Sequence, residues 1–147
     1  MRDWVLLAYR LPRDPSTPRI SLWRRLRRLG AAQLGDGLVA LPANDHTREQ
    51  LEWLAGEVVE AGGEATVWLA QPATAAQGRA LADRMRARAA EEYREVTEAA
   101  RTGGDRRTRA RLRRALRTIR ARDYFSMPER ETAERAVEEL IGEEVTA

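Results

Sequence analysis

The sequence predicts an α+β protein, in which a small antiparallel sheet comes first and helices follow. Two observations support this class. Over residues 1–72, short apolar runs and helical patterns follow the order strand, helix, strand, strand, helix, strand. From residue 73 to residue 147 only helical periodicity is found. Mixed elements followed by a run of helices are typical of α+β chains.

The first strand is predicted at residues 3–11, a nearly continuous apolar run that Pro12 ends. Its length suits a strand buried on both faces. After a proline-rich turn, Thr17 is expected to cap the first helix, with Pro18 at its first position. Gly30 should end this helix. Its buried face should carry Ile20, Trp23, Leu26 and Leu29.

Residues 31–41 predict two short strands around the turn Gly35-Asp36-Gly37, where Asp36 serves the turn. Thr47 and Gln50 form a T-x-x-Q capping box for a second helix, and residues 65–70 predict a fourth strand. The buried face of that helix should carry Leu51, Leu54, Ala55, Val58 and Val59. The order βαββαβ predicts a ferredoxin-like sandwich at residues 1–72, with two helices on one face of the sheet.

Residues 73–147 are expected to form a three-helix extension packed on the sandwich. A second capping box, Thr74 with Gln77, begins a helix that runs to Arg101. Asp105 should cap the next helix, and Ser126 with Glu129 makes a third box. The last helix has apolar positions at Ala133, Ala136, Val137, Leu140 and Ile141.

Composition excludes several chemistries. The 147 residues contain no cysteine and one histidine, His46, which excludes disulfides, thiolate catalysis and a multi-histidine metal site. No apolar run approaches the roughly 20 residues that a membrane helix needs, and no signal peptide is evident. We therefore expect a cytoplasmic chain without membrane contact. No catalytic grouping or phosphate loop is found, so neither an enzyme nor a cofactor is expected.

Charge is distributed in blocks. Residues 1–42 have a net charge of +5, residues 43–104 of −4, residues 105–128 of +7 and residues 129–147 of −5. Such alternation indicates either basic binding surfaces or basic helices that dock on the chain's own acidic helices.

Residues 106–122 contain nine arginines and no carboxylate. Leu112, Leu116 and Ile119 lie at i, i+4 and i+7, which predicts an amphipathic helix with a cationic face. Two interpretations stay open: an exposed surface for a polyanion, or neutralisation within the chain. The acids that could neutralise the helix are Glu91, Glu92, Glu95, Glu98, Glu131, Glu134, Glu138 and Glu139.

The first helix has a second arginine cluster, at residues 24–28, for which binding and plain solvation are equally open. Like charges this close repel unless an anion or an acid compensates them. The tryptophans are expected in the core, because each lies in a predicted strand or helix: Trp4, Trp23, Trp53 and Trp68. Base stacking would need exposed strand aromatics, for which Tyr9 and Trp68 are the candidates.

Four segments resemble the N-terminal domain of the chromate-resistance regulator ChrB. They are DWVLLAYRLP, PSTPRISLWRRLRRLGA, DGLVALP and REQLEWLAGEVVEAGGEATVW, and the later RARDYFSMPERETAERAVEEL also looks like this domain. The resemblance implies transcriptional control of chromate efflux, with DNA binding in this arginine-rich part. Longer family members have a second domain associated with sensing, and sensing of chromate is not expected of residues 1–147.

The strand and helix pattern also resembles a small CRISPR-associated ribonuclease-like fold and a domain of phenylacetate-pathway repressors. In the nuclease, an aspartate near the end of the first strand serves a metal site. Here Arg10 stands at that place, and its cation would repel Mg²⁺. Metal-dependent nuclease activity is therefore not expected.

The leading hypothesis is a DNA-binding regulator that forms a homodimer through a sheet face or edge. Its DNA contacts are predicted at Arg24, Arg25, Arg27, Arg28, Arg106, Arg107, Arg109, Arg113, Arg114, Arg117 and Arg120. A second hypothesis is a binder of chromate or sulfate, in which Arg10, Arg13 and Arg19 clamp the anion. A third is a module whose basic helices dock an acidic protein.

Overall fold

A computed structural model describes the backbone of residues 3–146 and the side chains of residues 3–140. The chain divides into two compact units, with Ala82 the last residue of the first and Asp83 the first residue of the second. The elements are β1 (Trp4–Arg10), α1 (Thr17–Leu29), β2 (Ala32–Gly35), β3 (Leu38–Pro42), α2 (Asp45–Glu60), β4 (Glu64–Ala70), α3 (Ala75–Thr102), α4 (Arg106–Ala121) and α5 (Glu129–Thr146).

The sheet confirms the predicted α+β class. Its four strands are antiparallel in the order β2-β3-β1-β4, which is the ferredoxin-like order. The central strand β1 pairs on both sides, so that Leu7 lies between Val39 and Val67. The continuous apolar run of β1 is explained by the burial of both of its faces, since every side chain from Trp4 to Tyr9 is buried or half-buried.

The core of the first unit lies between the sheet and its helices. Val5 and Leu7, which alternate along β1, are fully buried. They face the same side of the sheet as their partners on β3, Leu41 and Val39. Helix α2 packs on β1 and β4. Its buried residues are Thr47, Leu51, Leu54 and Val58.

The predicted buried face of α1 is partly wrong. Leu22 and Leu26 are buried, whereas Ile20 and Trp23 are 47% and 51% exposed. The helix contains two overlapping apolar rows, and the leucine row at i and i+4 is the one that packs. Thr17 is the first helical residue rather than the cap. Ser16 is the N-cap, and its side chain makes no capping hydrogen bond.

The start of α2 also differs from the prediction. Asn44 is the N-cap: its side chain accepts from the Thr47 amide at 2.8 Å, and its own amide donates to Thr47 Oγ1 at 3.0 Å. Thr47 is therefore the second half of the box and does not pair with Gln50. It is fully buried and donates to the Pro42 carbonyl at 2.7 Å, which joins helix and strand. Val59 is 57% exposed, contrary to prediction.

The second unit has a helical core of its own. The predicted box at Thr74 and Gln77, which belongs to the first unit, begins α3 with both reciprocal bonds at 3.1 Å. Asp105 caps α4, as predicted, by accepting from the Thr108 amide at 3.0 Å. The core consists of Tyr93, Val96, Ala100, Leu112, Ile119, Ala133, Ala136, Val137 and Leu140. The predicted core side chain of Ile141 lies outside the described residues.

A single carboxylate organises the loop between α4 and α5. Asp123 accepts from the Tyr93 hydroxyl at 3.0 Å and from the amides of Phe125 and Met127 at 3.1 and 3.0 Å. Burial and this hydrogen bond raise the pKa of Tyr93. Ser126 has a φ of 50°, and α5 begins three residues later. Among the described residues, no helix is long and apolar enough to cross a membrane.

Candidate nucleic-acid interface and arginine cleft

Helix α4 is held by its apolar side. Leu112 and Ile119, one heptad apart, are buried, and Leu116 and Ala115 lie partly buried between them. These side chains pack in the core that α5 shares. Burial of one side of a helix leaves the opposite side to solvent, and here that side consists of arginine.

The outer face of α4 carries a row of three arginines, which we call the outer row: Arg107, Arg111 and Arg114. They lie at i, i+4 and i+7 and are all exposed. In the described part of the chain, none of them has an acidic partner within ion-pair distance. Neighbouring cations on one helix face repel one another, so the row is a place of high positive potential.

A second side of α4 faces the glutamates of α5. Arg113 pairs with Glu138 at 3.0 Å, and both side chains are about half exposed. Arg117 and Arg120 line the same groove as Glu134 and Glu138, but Glu134 pairs with its own neighbour Arg130 at 3.3 Å. Arg109 is half-buried and Arg106 is exposed. Intramolecular neutralisation is therefore real on this side and does not extend to the outer row.

The acids of α3 pair elsewhere than the sequence suggested. Glu92 pairs with Arg122, just after α4, and approaches Arg88 at 3.6 Å. Glu91 pairs with Arg94 on its own helix at 3.2 Å. No ion pair within the described residues joins α3 to the outer row.

The arginines of α1 have closer partners. Arg25 pairs with Glu57 of α2, which also accepts from the Trp53 indole at 3.0 Å. The Arg27 guanidinium lies 4.8 Å from the centre of the Trp23 ring, a cation–π distance. The other arginines of this helix, Arg24 and Arg28 together with Arg19 in the first turn, are exposed without an acidic partner among the described residues.

The three arginines predicted to bind an anion line one open cleft at the end of β1. Arg10, Arg13 and Arg19 surround a space of about 820 Å³, together with the exposed side chains Ile20 and Trp23. All three arginines are exposed, and none has an acidic ion-pair partner among the described residues. The turn between β1 and α1 brings them together, because it folds back over only a few residues.

The hairpin turn closes the other side of this cleft. The Tyr9 amide donates to the Gly37 carbonyl at 2.8 Å, and Gly37 has a φ of 70°. A Cβ at Gly37 would collide with the Tyr9 carbonyl oxygen, so only glycine fits. Burial raises the pKa of Tyr9, the nearby Arg19 opposes this rise, and Asp36 adds to it. The phenol therefore stays protonated at neutral pH and can donate a hydrogen bond.

The expectation that the tryptophans lie in the core is right only for Trp4, which is 1% exposed. Trp23, Trp53 and Trp68 are each more than half exposed. Sequence reasoning also left out Arg111, although its spacing from Arg107 and Arg114 could have placed it in the outer row. His46 is exposed, and the described residues contain no group of three metal-ligating side chains.

Fold and surface together define a small α+β protein with a ferredoxin-like sheet unit and an arginine-rich helical unit. A family model described as "Protein ChrB, N-terminal" matches residues 19–105, more than half of the chain. The chain belongs to this family.

One curated relative is Protein ChrB of Cupriavidus metallidurans (strain CH34), which is 37% identical over 86 residues. The match covers 55% of this chain and 26% of the relative, so it spans about a quarter of that protein. No solved structure matches the chain significantly.

Proposed function

We propose that this protein is a DNA-binding transcriptional regulator of chromate resistance, that it acts in the cytoplasm and that it has no enzymatic activity. Membership of the ChrB N-terminal family supports the regulatory role. The observation that carries DNA binding is the outer row of α4, in which three exposed arginines have no acidic partner among the described residues.

The arginines of the outer row would gain free energy from contact with DNA in two ways. Exposed guanidinium groups exchange hydration for bidentate bonds to phosphate oxygens and release condensed counterions from the duplex. The rigid helix, fixed by Leu112 and Ile119, presents the outer row in one orientation. Such contacts position a protein on DNA but read no sequence, so base recognition has to come from other side chains.

The test is a titration of fluorescent duplex DNA at several salt concentrations, read by anisotropy. We expect the triple variant Arg107→Gln, Arg111→Gln, Arg114→Gln to bind more weakly. Log affinity decreases with log salt, and the magnitude of this slope should become smaller by about 2.7, because each lost phosphate contact removes about 0.9.

The matched control replaces three exposed arginines elsewhere, Arg79, Arg101 and Arg135, by Gln. It removes the same charge and should leave most of the slope. Equal losses in both variants would show that net charge, and not the outer row, drives binding. An unchanged slope in the α4 variant would remove the assignment of this surface.

A small-oxyanion binder is the second candidate, and the cleft at Arg10, Arg13 and Arg19 favours it. Two or three convergent guanidinium groups can clamp sulfate or chromate. Calorimetry with each anion on nucleic-acid-free protein tests this candidate. Heat in the native protein that disappears in the Arg13→Ala, Arg19→Ala variant would support it, and no heat with either anion would reject it.

We also propose that the protein is a homodimer. Strand β4 is at an edge of the sheet and exposes Trp68 and Leu69 by 56% and 59%. An edge strand with large exposed apolar residues is a ready site for pairing with a second copy. Sedimentation equilibrium on native protein and on Trp68→Glu, Leu69→Glu tests it, since only the native chain should dimerise.

A further inference from the structure

We propose that the arginine cleft binds a nucleotide, that is, an aromatic base that carries phosphate. This inference rests on the second candidate function, because it uses the same anion cleft, and it names the class of ligand. It does not depend on DNA binding by the outer row.

Size is the first argument. The cleft holds about 820 Å³, within the roughly 300–1,000 Å³ typical of small-molecule sites. A tetrahedral oxyanion fills only the space of a few water molecules, at about 30 Å³ each. An inorganic anion would therefore leave most of the cleft to solvent, whereas an organic phosphate would occupy it.

The phosphate end has more than arginines. The cleft includes Ser16, the N-cap of α1, whose side chain makes no capping bond. Pro18 has no N–H, so the amides without a side-chain cap are those of Thr17 and Arg19, in the same first turn as the Arg19 side chain. A helix N-terminus carries partial positive charge, so amides and guanidinium groups favour the same anion.

The other end of the cleft suits an aromatic ring. Trp23 is 51% exposed at the cleft wall beside Ile20, although an indole of this size gains by burial. The Arg27 guanidinium lies over one face of the Trp23 ring, so a base has to stack on the other face. A flat base stacked on this indole would cover apolar surface that the fold leaves in water.

Asp36 distinguishes a nucleotide from a bare oxyanion. This carboxylate lines the same cleft as the three arginines and would repel an inorganic anion placed near it. It is, however, a good acceptor for ribose hydroxyls or an exocyclic amine. The neighbouring Tyr9 hydroxyl can donate. The cleft thus offers cations for phosphate and acceptors for the rest of the ligand.

The experiment is calorimetry on the full chain with AMP, GMP, CMP and UMP, compared with adenosine, inorganic phosphate and sulfate. At least one nucleotide should bind tenfold or more tightly than either inorganic anion or adenosine. Arg13→Ala, Arg19→Ala should lower its affinity at least tenfold. Trp23→Ala should reduce it to the level of phosphate, and Trp23→Phe should restore most of it.

Two controls match these variants in type and exposure but lie outside the cleft: Arg79→Ala, Arg101→Ala on α3, and Trp53→Ala on α2. Both should bind the nucleotide like native protein. Thermal unfolding of every variant checks that these surface changes leave the fold intact.

Several results would overturn the proposal. Equal affinity for a nucleotide and for phosphate would reduce the cleft to a plain oxyanion site. The absence of any nucleotide binding with a Kd below about 1 mM would leave it without a ligand of this class. Single-stranded DNA serves as a further ligand in the same experiment. If it binds more tightly than any mononucleotide, and the cleft variants lose this binding, the cleft is part of a nucleic-acid-binding surface instead. The outer-row variants answer the DNA question separately, so the two proposals can fail independently.

Discussion

Helices α1 and α4 have similar compositions, yet their arginines lie in different surroundings. In α1, Arg25 pairs with Glu57 of the next helix and Arg27 lies on Trp23. In α4, the outer row has no acidic partner among the described residues, and the ion pair with α5 is on another side of the helix, at Arg113. Arginine content therefore does not define a binding surface; what matters is which acids and rings the fold brings to each guanidinium.

The difference follows from how each helix is buried. Helix α1 lies beside α2, whose Glu57 pairs with Arg25 of α1. Helix α4 buries one apolar side against α5 and turns its opposite side away from that helix. The partners of a basic helix are therefore set by which of its sides faces the acids of the neighbouring helix.

The largest expected effect separates the two sides of α4. Leu112→Ala or Ile119→Ala should lower the free energy of unfolding by about 2–5 kcal/mol, because each leaves a cavity in the core of the second unit. The outer-row glutamines should change it by less than about 0.5 kcal/mol, since exposed residues add little. Urea unfolding of all three variants measures this, and a large loss in the glutamine variant would mean that the row is structural.

The next effect compares the two helices directly. Arg24→Gln, Arg25→Gln, Arg28→Gln should lower the salt slope of DNA binding by about 1.8, against about 2.7 for the outer row, because Arg25 is already paired. The same anisotropy titration reports both. A larger change from α1 than from α4 would reverse the ranking of the two surfaces.

A smaller effect is expected when Arg25 of α1 loses its acidic partner, as the outer row of α4 has none among the described residues. Glu57→Gln releases Arg25 and should raise affinity for DNA about two- to fivefold, the equivalent of roughly 0.4–1 kcal/mol for an exposed pair. The control Glu52→Gln releases Arg48 on the same helix, away from α1, and should change affinity less. If both variants gain equally, the effect is one of net charge.

The smallest effect concerns the start of α4. Its cap, Asp105, has a pKa below the ordinary 3.8, because its carboxylate accepts from the Thr108 amide and side chain. A carboxyl whose pKa is lower in the folded state stabilises the fold at pH values above 3.8. This stabilisation is lost as the pH falls through the lower pKa of the folded state. Asp105→Ala should therefore lower the melting temperature at pH 7 by a few degrees, and the difference should shrink in acid. A difference independent of pH would mean that the charge is irrelevant.

Much of the fold could be predicted because the residues that end its helices and strands act locally. Pro12, Gly30 and the turn at Gly35-Asp36-Gly37 end elements in the structure as they do in the sequence. Arg10, Arg13 and Arg19 could be grouped for the same reason, since one short turn joins them. Whether they bind an anion stays a prediction.

The rest depended on packing between distant residues. Ile20 and Trp23 fit a helical period as well as Leu22 and Leu26 do, so periodicity could not choose between the two rows. Glu57 is 32 residues from Arg25, and nothing local links them. The start of α2 was misjudged for a local reason: Thr47 fits either position of a capping box, and its reciprocal bonds with Asn44 decide.

Asp123 has a consequence for how α4 is aimed. By accepting from Tyr93 and from two amides of the following loop, it ties the end of α4 to the long helix α3. These bonds fix the end of α4 relative to α3, and Asp105 caps its start. One carboxylate of the loop thus contributes to the direction in which a row of guanidinium groups is presented.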